Sequence, residues 1–108
     1  MTEESKKKLI KNMTANLQML RVRLGLTQNE LADLLGMSRH TIMYIENNKR
    51  EMTWNNFLAL VLLFAKNEDT NKLLNILEIY TDEFNDYIKQ KNQKQQGSSN
   101  ADNVNVET

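Results

Sequence analysis

Arg39, His40 and Tyr44 stand close together in the stretch SRHTIMYIENNKR, residues 38–50. A planar guanidinium, an imidazole and a phenol all donate directed hydrogen bonds. Ile42 and Ile45 are interleaved with them at a spacing that puts both isoleucines on one side of a helix. Packing needs that side, so the Arg, the His and the Tyr are turned to solvent, where they are free to recognise another molecule. The rest of the chain gives them no catalytic company. There is no cysteine and His40 is the sole histidine, which leaves neither a disulfide framework nor a ligand set for a metal. There is also no activated nucleophile, no carboxylate pair in an apolar setting and no glycine loop that cradles phosphate. Recognition is therefore expected, not catalysis, and no cofactor.

The elements that position these residues are all helical. Proline is absent, glycine occurs only three times, and no alternating run of β-branched residues is long enough for a strand. At 108 residues and 40% hydrophobic content there is room for one core. Ile10, Met13, Leu17, Leu20 and Leu24 repeat at intervals of three and four, which predicts a first helix with one apolar face ending near Gly25. Thr27 and Glu30 form a capping box ahead of Leu31, Leu34 and Leu35, and this second helix ends at Gly36. Ser38 caps a short third helix with Ile42 and Ile45 inward. Thr53 caps a fourth, Trp54 to about Lys66, apolar on nearly every side and so expected to cross the core.

A fifth segment starts at Asp69 or Thr70, with a break into a further helix near Thr81–Asp82 where another cap is available. In it Leu73, Leu77, Tyr80, Phe84 and Tyr87 make a stripe that can stay with the fourth helix, leaving Leu74, Ile76 and Ile79 for a partner. The stretch QKNQKQQGSSNADNVNVET from Gln90 is polar and expected to be disordered. Three parts follow: 1–66 around the two short helices, 67–90 as a helical extension with a dimerisation surface, and 91–108 as a tail. The longest apolar run, FLALVLLFA at 57–65, is too short to span a bilayer. The expectation is a soluble, cytoplasmic protein with no membrane contact.

Formal charge is zero overall but unevenly placed. Residues 1–66 carry ten Lys and Arg against six Asp and Glu, while residues 67–108 carry four against eight. A basic front half suits a polyanionic partner, and an acidic back half is held away from it by the same field. Ordinary solvated helix faces would give the same totals.

Two capped helices joined by a tight glycine turn form a helix-turn-helix, in which the first braces the second and the second is presented to the major groove of double-stranded DNA. Leu20, Arg21, Gly25, Leu26, Thr27, Gln28, Glu30, Leu31, Ala32, Gly36, Ser38, Ile42, Ile45, Glu46, Asn47 and Lys49 together resemble the Cro and phage-repressor type of this motif, also called the xenobiotic-response-element type. The resemblance covers roughly residues 10 to 66. It implies a compact five- to six-helix bundle of the lambda-repressor-like type. It also implies a structural ion pair between Arg21 and Glu46, base-reading positions at Arg39, His40 and Tyr44 with Ser38 and Met43 secondary, and phosphate contacts at Gln28, Thr41, Asn47, Lys49 and Arg50. Arg39 matches guanine O6 and N7 as a bidentate donor, while phosphate contacts set register without reading sequence.

Asn48 replaces the glycine usual after the reading helix, and Met52 stands where proline is common; asparagine tolerates left-handed geometry, so the turn is expected to survive. Small modules of this kind bind inverted repeats as dimers. The leading expectation is thus a sequence-specific regulator, most simply a repressor acting as a homodimer. The alternative is a protein-interaction module of the same fold, such as an antitoxin or a regulator subunit controlled by a protein partner at the C-terminal helices. Steep weakening of binding with salt separates the first from the second.

Overall fold

The computed structural model describes residues 1–89. Over them the chain is helix without strand: α1 Glu3–Arg23, α2 Gln28–Leu35, α3 Arg39–Glu46, α4 Trp54–Ala65 and α5 Glu68–Ile76, followed by α6 over residues 82–89. The all-α bundle expected from the sequence is the fold observed. The segment 91–108, expected to be a tail, lies outside the described residues.

Each helix begins where a short polar side chain supplies the acceptor that the first turn lacks. Thr2, Thr27, Ser38, Thr53 and Asn67 are extended at their caps, and each accepts from a backbone N–H within the next three residues. Thr81 accepts the Phe84 N–H at 3.1 Å and so starts α6. At α2 the cap is reciprocal: Thr27 Oγ1 accepts the Glu30 N–H at 3.0 Å while Glu30 Oε1 accepts the Thr27 N–H at 2.9 Å. α2 stops at Gly36, whose φ of 70° is left-handed, and the Met37 N–H returns to the Ala32 carbonyl at 2.8 Å. That reversal lets Ser38 open α3 at once.

The core runs the length of the molecule. α1 contributes Leu9, Met13, Leu17 and Leu20, with Ile10 and Leu24 only partly covered. Leu31 and Ala32 of α2 share this core with Ile42 and Ile45 of α3, and α2 packs on α3. α4 buries Phe57, Leu60, Val61 and Phe64 but leaves Leu62 exposed. Leu74, Ile79 and Phe84 close the same core. Phe84 stands edge-on to Trp54, Phe57 and Tyr80, with centroids 5.9, 5.5 and 5.2 Å away, a geometry that aligns ring edges with ring faces.

The C-terminal helices differ from the sequence expectation in register. α5 begins at Glu68 under an Asn67 cap, not at Asp69 or Thr70. Thr70 is wholly buried, and its hydroxyl donates to the Phe64 carbonyl at 2.6 Å, satisfying the end of α4. The expected break near Thr81 is present, but α5 already ends at Ile76. Glu78 takes a left-handed φ of 59°, and the Ile79 and Tyr80 N–H groups both return to the Leu74 carbonyl, at 2.8 and 2.9 Å. Asn12 Nδ2 of α1 donates to the Glu78 carbonyl at 3.0 Å and pins this turn. Ile79 is thereby swung inward. The partner-facing set expected at Leu74, Ile76 and Ile79 therefore does not exist as a surface: Leu74 and Ile79 are wholly buried, and only Ile76, 73% exposed, stays outside.

Candidate nucleic-acid interface

α3 is eight residues long and divided by side. Ile42 and Ile45 are wholly buried, whereas Ser38, Arg39, His40 and Tyr44 are exposed and Thr41 and Met43 half-buried. A short helix with two anchors on one side can present only the opposite side. His40 and Tyr44, one turn apart, meet edge to face with ring centroids 6.1 Å apart. Arg39 precedes them at the first position of the helix, and all three residues expected to read bases are exposed.

What holds α3 at a defined angle is the ion pair at its far end. Arg21 Nε donates to Glu46 Oε2 at 2.7 Å and Arg21 Nη2 to Glu46 Oε1 at 3.1 Å, a two-pronged contact, with side-chain exposures of 10% and 2%. Arg21 Nη1 donates to the Leu26 carbonyl at 2.8 Å. The guanidinium therefore ties α1 to both the loop before α2 and the end of α3. Gln28 joins the same cluster, its Nε2 donating to Glu46 Oε1 at 3.0 Å. Its side chain is turned in toward the carboxylate and is half-buried, an engagement the sequence does not disclose.

Beyond α3 the chain folds back over the helix. Asn48 adopts φ 60°, the left-handed conformation that asparagine tolerates, and the Lys49 and Arg50 N–H groups both reach the Tyr44 carbonyl, at 2.7 and 3.2 Å. Arg50 Nη1 then donates to Thr41 Oγ1 at 3.0 Å, and Thr41 Oγ1 lies 3.0 Å from Ser38 Oγ. Arg50, Thr41 and Ser38 thus form one hydrogen-bonded chain across the start of α3, with Asn47 and Lys49 exposed beside it. Met52, where proline was the common residue, is a core residue 3% exposed.

The loop also borders a groove of about 860 Å³ against the first turns of α1, lined by Lys6, Lys7 and Lys11 of α1 and by Lys49 and Arg50 of the loop, with Glu3, Glu51, Ile10, Met52 and Trp54 also in its walls. The α1 lysines were not singled out by the motif. Lys7 and Lys11 are four residues apart and so share a helix face, but nothing in the sequence brings that face to the loop. Among the described residues the ion pairs are Arg21–Glu46 and, at 3.4 Å, Arg23–Asp69, so no carboxylate there neutralises a cation of the groove or of the α3 surface at contact distance. Among the described residues no group of three or more His, Cys, Asp or Glu is placed to hold a metal ion, and no helix is long and apolar enough to cross a membrane.

Residues 14–93 match the family model described as a helix-turn-helix domain, a span that takes in α2, α3 and the helices that follow. No curated protein and no solved structure matches the chain. The buried brace, the capped glycine turn and the match agree: the chain belongs to the helix-turn-helix domain family, a membership that supports a DNA-binding regulator.

Proposed function

We propose that the protein is a sequence-specific double-stranded DNA-binding regulator that represses by occupying its site, binding an inverted repeat as a homodimer through α3. The observation that carries this is the division of α3, whose inner side is wholly buried at Ile42 and Ile45 while Arg39, His40 and Tyr44 stand in solvent. An α-helix fits the major groove, where Arg39 is suited to guanine and His40 and Tyr44 to single hydrogen bonds or thymine methyl contact, with Ser38 and Met43 at the margin. Asn47, Lys49, Arg50 and Thr41 flank this surface and are suited to phosphate. Gln28 joins them only by exchanging its bond to Glu46 for one to DNA.

The homodimer would be built by the helices after residue 66. Ile76 and Ile88 are 73% and 51% exposed there, apolar surface that a second copy would cover. The protein's site of action, on this reading, is the cytoplasm. Selecting fragments from the source genome with the full chain, then footprinting those retained, tests the proposal. Protected half-sites about one helical turn apart are expected; retention without any sequence preference would refute it.

A further inference from the structure

We propose that the groove between α1 and the α3–α4 loop is a second DNA contact, a track for the phosphate backbone just outside the bases read by α3. This rests on the DNA-binding function proposed above. Lys49 and Arg50 belong to both surfaces: they line the groove, and Arg50 is hydrogen-bonded to Thr41 on the reading helix. A backbone leaving the α3 surface along this loop meets Lys7 and Lys11 next. Both are exposed, and both lie on the basic front half of the chain. Lys6 has a different task, since its Nζ sits 5.3 Å from the Trp54 ring and 5.5 Å from the Tyr87 ring, which fastens α1 to the neighbouring helices. Glu3 and Glu51 also line the groove, so five cations share it with two carboxylates and the balance stays positive.

A phosphodiester backbone suits this groove better than a small anion. The cations stand on two separate walls along an open furrow, so a repeating charge can engage them in succession, whereas one compact ligand has no single converging cradle. Each phosphate neutralised contributes about 0.9 to the slope of log affinity against log salt.

The test compares the full chain with the Lys7→Gln/Lys11→Gln double variant on a random-sequence duplex and on a retained cognate duplex, over about 50 to 200 mM salt. The variant should lose nearly two units of slope, so its deficit relative to the unmodified protein narrows roughly tenfold across that range. The deficit should be equal on both duplexes, and Lys7→Arg/Lys11→Arg should restore binding. Trimming the cognate duplex to the bases under α3 should abolish the difference between the proteins. An unchanged slope in a variant of unchanged helicity overturns the groove as a DNA track while leaving α3 recognition standing. Loss of inorganic phosphate binding with DNA binding intact also overturns it, in favour of a small-anion site. If the unmodified chain shows no salt-dependent DNA binding at all, the proposed function itself fails and the groove with it.

Discussion

Glu46→Gln removes one negative charge from the brace behind the reading helix and almost no volume. Arg21 is then left 8% exposed with its cation unpaired, because the other partner within reach is the neutral Leu26 carbonyl at 2.8 Å. Breaking a buried pair from one side costs about 3 to 5 kcal/mol; the Arg21 side chain keeps 10% exposure, so about 3 kcal/mol is the expected value. For a domain of this size that corresponds to a fall in Tm of roughly 12 to 24 °C. Arg21→Met/Glu46→Leu removes both charges together and should recover part of the loss, since apolar replacement of a whole buried pair is often neutral. Full recovery is not expected, because the Leu26 carbonyl and the Gln28 amide each lose a partner, at about 1 kcal/mol apiece. Urea and thermal unfolding followed by far-ultraviolet circular dichroism measure all three proteins. A Glu46→Gln variant within about 1 kcal/mol of the unmodified chain, or a double variant worse than the single one, would refute the brace as described.

Arg39→Ala should weaken binding to the cognate duplex by about 1 to 3 kcal/mol and relax preference at one base pair per half-site, leaving binding to scrambled duplex nearly unchanged, as a titration on both duplexes will show. Lys49→Ala should weaken both duplexes alike and lower the salt slope by roughly one unit. Gly36→Ala should destabilise by about 1 to 2 kcal/mol in a chemical unfolding curve; a Cβ there meets nothing within 4 Å, so the cost is that of the left-handed backbone alone. Glu78→Gly should do the opposite: relief at φ 59° outweighs the added freedom of the unfolded chain and raises stability by about 0.5 kcal/mol. Ile76→Lys should shift sedimentation from dimer to monomer and lower Tm only by the lost association, leaving the Tm of the dilute monomer unchanged, because the side chain lies outside the core of the single chain; a lower Tm with no change of mass would count against Ile76 as dimer surface.

Helices α2, α3 and α4 and their caps were legible in the sequence because their causes are local. Thr27 with Glu30, Ser38, and Thr53 each act within three residues, and the left-handed stop at Gly36 needs only a residue without a Cβ. The division of α3 was legible for the same reason, since Ile42 and Ile45 declare an inner side by spacing alone. The ion pair of Arg21 with Glu46 spans 25 positions, so it came from resemblance to other sequences and not from any local rule. Tertiary structure decided the rest. Glu78 stops α5 in a conformation that favours glycine, an event without a local signal, and the Asn12 bond from α1 helps to hold it. That stop turned Ile79 from a partner-facing residue into core, because one left-handed residue rotates every side chain after it off the helical stripe. Gln28 was drawn inward by a carboxylate 18 positions away. The basic groove exists only because packing sets the first turns of α1 beside the loop after α3, and periodicity within one helix does not contain the position of another.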